Sequence, residues 1–231
     1  MKKKYLKNLF LLRKKIEYYK SISTDNIKDL LKIRKRLQKK ETMSSKLCAI
    51  EKLSQWKLKN GKLKHYSNQF FSVEGVKVRN AKREVKNWEQ LIFNQPHGGV
   101  LAFLVRETKN KGIEFLLHLR SEPGDKNIKF CPTFSATKSN MNLAHGGKKT
   151  DLFDIIIKQK GSEIIAKSAH NEEGARFWQK RNENWLVFLK DPKNDQTRRD
   201  KFVWANLWQI KKLCMEDCLI NPYVKTILFM I

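Results

Sequence analysis

The chain has 231 residues, enough for one large domain or one and a half small ones. Lys and Arg number 49 against 23 Asp and Glu, a formal charge of +26, while 40% hydrophobic residues permit a sizeable core. Only 11 of the cations are Arg, and base readers and phosphate clamps lean on Arg, so this charge argues against a dedicated nucleic-acid protein and leaves general polyanion binding as a third-ranked role.

The four cysteines, at 48, 131, 214 and 218, form no Cys-x-x-Cys pair. The histidines at 65, 97, 118, 145 and 170 do not recur at metal-ligand spacing, so no metal site is expected. The basic start Met1-Lys2-Lys3-Lys4 reaches Arg13 without an uninterrupted apolar stretch, and no run of 18 or more apolar residues follows. The expectation is a cytoplasmic protein with reduced thiols and no membrane association.

In chain order, Leu6, Leu9, Phe10, Leu12, Ile16 and Tyr19 space a first helix over 5–19. Thr24 or Asp25 can cap a second, with Ile27, Leu30, Leu31, Ile33 and Leu37 on one side. The repeat Leu47, Ile50, Leu53, Trp56 predicts a third over about 45–57. These Lys-rich helices define a basic N-terminal region, 1–60, ahead of a main module, 61–231. Phe71, Val73, Val76 and Val78 then indicate extended chain. Gly99 to Arg106 and Ile113 to Leu119 form a hairpin through the polar turn 108–112, and a short strand follows at Ile128–Cys131. Residues 141–150 read as a loop, 163–168 as a strand, 172–182 as a helix, 186–189 as a strand and 191–201 as a polar insert before Phe202-Val203-Trp204. Asn206 caps a helix carrying Leu207, Ile210 and Leu213, and Asn221-Pro222 opens a last one to about Phe229. Helices, then strands, then both mixed indicate an α+β protein with a mixed or antiparallel sheet.

Gly-x-x-x-x-Gly-Lys-Ser/Thr, Gly-x-Gly-x-x-Gly and Gly-x-Ser-x-Gly are all absent. What remains is a set of short words: Arg83-Glu84-Val85-x-x-Trp88-x-Gln90, Arg120-x-Glu122-Pro123-Gly124, Pro132-Thr133 with Ser139-Asn140, Glu172-Glu173-Gly174-x-Arg176-Phe177-Trp178, and Trp204 with Gln209. Arg120 and Arg176 are planar forks that suit paired anionic oxygens, and Trp88, Phe177 and Trp178 offer flat faces. Gln90, Thr133, Asn140 and Gln209 can both donate and accept hydrogen bonds. Glu122, Glu172 and Glu173 are candidates for acid–base work. The plainer alternatives stay open: Arg120 with Glu122 and Arg83 with Glu84 as structural ion pairs, the aromatics as core, and Glu172 and Glu173 as favourable charges at a helix start.

In this order and spacing, over about Leu53 to Leu228, the words resemble the NDP-hexose 2,3-dehydratases of deoxysugar biosynthesis. The resemblance implies a Nudix-like mixed sheet with flanking helices, without the metal-binding Nudix sequence. It implies loss of water from a nucleotide-linked 4-keto-6-deoxyhexose, the dTDP-glucose derivative, with no redox cofactor. A base takes the carbon-3 proton and the carbon-2 hydroxyl leaves with help from an acid, roles for which Glu122, Glu172 and Glu173 are the candidates. The resemblance further implies Arg120 and Arg176 on the diphosphate, Trp88, Phe177 and Trp178 against the pyrimidine, and Gln90, Thr133, Asn140 and Gln209 at base or sugar edges. Family members carry two copies of the module and this chain one, which implies a homodimer or pairing with a sister module. A single copy is also compatible with a non-catalytic nucleotide-sugar-binding half. The family's terminal word Asn-x-Asp-Thr-Arg stands here as Asn221-Pro222-Tyr223-Val224-Lys225.

Overall fold

The structure, a computed structural model, describes residues 2–144, 146–190 and 200–231. His145 and nearly all of the polar insert expected at 191–201 lie outside the described residues. The architecture is α+β, with two sheets and helices packed on the larger one.

The larger sheet forms around its most apolar run. In β5 (Gly99–Thr108) every residue from Gly99 to Val105 is buried, the mark of a strand covered on both faces. The predicted hairpin joins it antiparallel to β6 (Gly112–Arg120), turning at Gly112 with φ +70°. On its other side β5 pairs in parallel with β10 (Arg181–Leu189), which pairs antiparallel with β9 (Ser162–Asn171). With β11 (Phe202–Asn206) beyond β6, the order is β11-β6-β5-β10-β9.

The sheet forks between β5 and β6. The start of β5 pairs with β8 (Phe134–Thr137), and the end of β6 pairs with β7 (Lys129–Cys131). Thr133 sits in the fork, 1% exposed; its hydroxyl accepts from Leu104 N at 2.9 Å and donates to the Leu116 carbonyl. The smaller sheet is an antiparallel meander of β1 (Trp56–Lys59), β2 (Lys62–His65), β3 (Ser72–Val78) and β4 (Trp88–Asn94).

Both faces of the large sheet are covered. On one, Phe103, Phe115 and Leu117 pack with Leu12 and Ile16 of α1 (Lys2–Tyr18), Leu30 of α2 (Lys28–Lys40), Ile210 and Leu213 of α5 (Leu207–Cys214), and Val224 and Ile227 of α6 (Pro222–Leu228). On the other, Leu104, Leu116, Phe134, Trp185 and Val187 pack with Ile155 and Ile156 of the short α4 (Phe153–Ile156). Each such buried side chain contributes about 1.5–3 kcal/mol. The last short helix, α3 (Lys138–Met141), follows β8.

The caps read from sequence at Asn206 and Asn221 are present: Asn206 and Gln209 form a reciprocal capping box on α5, and Asn221 Oδ1 accepts from Tyr223 N at 2.9 Å. At α2 the turn is made differently. Asn26 Oδ1, rather than Thr24 or Asp25, accepts from Lys28 N at 3.0 Å.

Two predicted helices are corrected. Over 45–57 there is a 3₁₀ turn at Ile50–Lys52 and then β1. Leu47 is 99% exposed, so the helical spacing there finds no surface to bury. Over 172–182 the chain follows an irregular path into β10, with Gln179 at φ +49°.

Gly98 and Gly99 fix how closely the strands approach. A Cβ on Gly98 would stand 1.6 Å from the Arg181 carbonyl oxygen, and one on Gly99 would stand 2.5 Å from that of Ala136. Both contacts are with backbone, which cannot swing aside, so only glycine lets the start of β10 lie this close at Gly98 and β8 this close at Gly99.

Candidate functional site

The irregular path after β9 builds the site. Phe93 N donates to the Arg176 carbonyl at 2.8 Å and Trp178 N to the Phe93 carbonyl at 2.9 Å, which lays residues 173–178 along the outer edge of β4. Alternation along β4 puts Trp88, Gln90 and Ile92 on one side of the strand. The Trp88 indole N–H donates to Gln90 Oε1 at 2.9 Å, and Gln90 Nε2 donates to the Ala175 carbonyl at 2.7 Å. Gln179 then turns the chain into β10.

Between β3, β4 and this path lies an open cleft of about 980 Å³, lined among others by Trp88, Gln90, Phe177 and Trp178. That is the size of a site for a small organic ligand, about 300–1,000 Å³. Its lining carries three cations, Arg83, Lys180 and Arg181, and one carboxylate, Glu172, a formal balance of +2. Arg83 and Arg181 are exposed and make no ion pair among the described residues. The Lys180 ammonium stands 4.4 Å from the Phe177 ring centroid.

Glu172 is held on one side. Its Oε1 accepts from Asn182 Nδ2 at 2.6 Å and from the Tyr223 hydroxyl at 2.7 Å, and stands 3.4 Å from Lys180 Nζ. The Glu172 and Lys180 side chains are 11% and 7% exposed, so the pair is screened little by solvent. Oε2 has no hydrogen-bond partner among the described residues. Burial, and then the hydrogen bond to Glu172, hold the Tyr223 phenol well above its usual range, so Tyr223 stays a donor. Asn182 is fixed in turn, since its Oδ1 accepts from Gly99 N at 2.9 Å.

A sequence model of the family described as NDP-hexose 2,3-dehydratase matches residues 27–231. The chain belongs to this family. It is 32% identical over 184 residues to a dTDP-4-dehydro-6-deoxy-alpha-D-glucopyranose 2,3-dehydratase of Amycolatopsis orientalis, covering 76% of this chain and 38% of that one. It is 30% identical over 181 residues to the protein of the same name from Saccharopolyspora spinosa, covering 77% and 36%. The chain thus spans little more than a third of the length of these relatives.

Of the residues singled out in sequence, the fold brings six together at the cleft: Arg83, Trp88, Gln90, Glu172, Phe177 and Trp178. The others stand apart from it. Arg120 Nη2 binds Glu122 at 2.9 Å at the end of β6, and Thr133 holds the fork. Asn140 lies in α3, where its backbone N–H donates to Thr137 Oγ1 at 3.3 Å. Gln209 completes the α5 cap and donates to the Asn26 carbonyl at 2.8 Å. Glu173 and Arg176 are exposed on the path beside the cleft but do not line it.

Sequence reasoning missed Lys180, Arg181, Asn182 and Tyr223. Lys180 and Arg181 carried a usable signal, two cations delivered into a turn where a strand begins, as Arg120 is where one ends. Among the described residues no helix is long and apolar enough to cross a membrane.

Proposed function

We propose that this chain is a dehydratase acting on a dTDP-linked 4-keto-6-deoxyhexose, and that the cleft between β4 and β10 is its active site. The observation that carries the reading is the composition of the cleft wall. Three cations offset one carboxylate there beside the exposed Trp178 and the half-buried Trp88 and Phe177, and a nucleoside diphosphate sugar brings a dianionic diphosphate and a flat base. Arg83 and Arg181, free of internal carboxylates, are the forks for the diphosphate. Trp88, Phe177 and Trp178 are the platforms for the pyrimidine, and Gln90 faces its edge.

Glu172 is the single carboxylate of the wall, so one group serves both proton transfers. The free Oε2 takes the carbon-3 proton, made acidic by the carbon-4 ketone, and negative charge moves onto the ketone oxygen. As the carbon-2 to oxygen bond breaks, Glu172 returns that proton to the departing hydroxyl, which leaves as water. The carbon-2 to carbon-3 double bond that forms carries an enol at carbon 3 and rearranges to the 3,4-diketo sugar. Lys180, beside Glu172, supplies positive charge for the enolate stage. The test is incubation of the purified chain with dTDP-4-keto-6-deoxyglucose and mass spectrometry for loss of one water. An unchanged sugar, with dTDP still bound, refutes catalysis by this chain alone.

The length difference supports a second reading. Because the relatives are more than twice as long as the matched stretch, this chain fits equally the role of a nucleotide-sugar-binding half that completes a sister module. That reading expects dTDP binding without turnover, and turnover restored when the sister module is added.

A further inference from the structure

Outside the cleft, the polar groups form a chain that ends on Glu172. At the close of β6 the Arg120 guanidinium binds Glu122 at 2.9 Å, with both side chains about 30% exposed. The buried Asn221 donates from Nδ2 to both oxygens of Glu122, at 3.1 and 3.0 Å, while its Oδ1 caps α6 through Tyr223 N. The Tyr223 side chain, on the first turn of α6, delivers its hydroxyl to Glu172. Three stretches separated widely in sequence thus make one bracket: the strand end at 120–122, the helix start at 221–223, and Glu172. Neither Tyr223 nor Asn182 lines the cleft, so they hold Glu172 from behind its wall.

We propose that Arg120, Glu122, Asn221 and Tyr223 are positioning residues that act through the Tyr223 hydroxyl to fix Glu172, leaving Oε2 as its one free oxygen. This rests on Glu172 being the acid–base group of the cleft. With Oε1 taken by two hydrogen-bond donors and the Lys180 ammonium 3.4 Å away, the proton traffic of the carboxylate is confined to Oε2. The Arg120–Glu122 pair is then neither a diphosphate fork nor a mere surface pair. It anchors the cap that sets the height of the phenol.

Tyr223→Phe tests this directly, since it keeps the ring and its packing and removes only the hydroxyl. The expected result is kcat lowered about ten- to a hundredfold, with KM for the dTDP sugar and the thermal midpoint near wild type. Wild-type kcat in Tyr223→Phe overturns the inference. A second readout needs no turnover. The Tyr223 hydroxyl proton should appear as a slowly exchanging downfield NMR resonance, absent in Tyr223→Phe and lost to fast exchange in Asn221→Ala, where the ring remains. A resonance unchanged in Asn221→Ala breaks the bracket. If wild type binds dTDP but turns nothing over, the catalytic reading fails, and the hydroxyl resonance still decides whether the bracket holds the phenol.

Discussion

Replacing Thr133 by Val is the most informative single change in the fold, because the two side chains have nearly the same shape and only the hydroxyl is lost. That hydroxyl is the sole bridge between Leu104 N and the Leu116 carbonyl across the fork, at a residue 1% exposed. Valine fills the space and leaves no cavity, but it strands one donor and one acceptor where water does not reach. At about 1–3 kcal/mol for each stranded group, and less for a carbonyl with a second lone pair, the expected loss is about 2–4 kcal/mol. Urea unfolding followed by circular dichroism should then show a midpoint lower by about 1–2 M at unchanged m. Thr133→Ser, which keeps the oxygen and drops a methyl, should lose about 1 kcal/mol. dTDP affinity should be the same in all three proteins, because Thr133 does not line the cleft. A valine variant as stable as wild type, or a serine variant as weak as the valine one, refutes the bridging argument. A valine variant that is stable but binds dTDP poorly returns Thr133 to the ligand.

Glu172→Gln should abolish water loss while calorimetry still finds dTDP bound, and retained turnover would remove Glu172 from the chemistry. Arg83→Ala and Arg181→Ala should each weaken dTDP binding by about 1.5–3 kcal/mol for a lost charged hydrogen bond, whereas Arg176→Ala should leave it near wild type; the reverse pattern would place the diphosphate outside the cleft. Burial first, then the nearby Arg120 and Lys201, push the His118 imidazole down to about 3, so the folded protein keeps it neutral where the unfolded chain protonates it. The unfolded state then binds the extra proton between pH 6.5 and 3, and stability falls as pH drops through that window, by about 1.4 kcal/mol per unit; urea midpoints should show this slope from pH 6.5 to 4.5 and a flatter one in His118→Phe. On α1 the outer face exposes Leu6 by 66% and Phe10 by 55%, and we expect light scattering to find a homodimer at tens of micromolar in about 0.2 M salt, where screening reduces the repulsion of two basic chains; a monomer there would shift weight to pairing with a sister module.

Local chemistry was legible in sequence where local forces decide. The hairpin at Gly112, the Asn206 cap and the Asn-Pro start of α6 each need only their own neighbours. The expected helix over 172–182 failed because its competitor was distant: the edge of β4, some eighty residues earlier, takes the backbone of Arg176 and Trp178. Spacing alone cannot reveal such a pairing. For the same reason Trp88, Gln90, Glu172, Phe177 and Trp178 could be named singly, but nothing in their spacing says that they share one wall. Tyr223 was invisible as a site residue. It stands 51 positions from Glu172 in a helix whose own signals speak only of capping. The surplus of cations is spread along the whole sequence, and only the fold shows that Arg83, Lys180 and Arg181 line one cleft.

The glycine contacts between the start of β5 and the start of β10 also govern time. The link from Gly99 to Asn182 closes a loop of 83 residues, and the strands it joins run parallel, a pairing that local structure cannot nucleate. Lys180, Arg181 and Asn182 have no fixed place until that loop closes, so we expect the cleft to assemble late in folding. A nucleotide present in the refolding buffer therefore finds nothing to bind at the transition state. It should leave the refolding rate unchanged and appear only as slower unfolding, a ligand that guards the finished molecule without helping to build it.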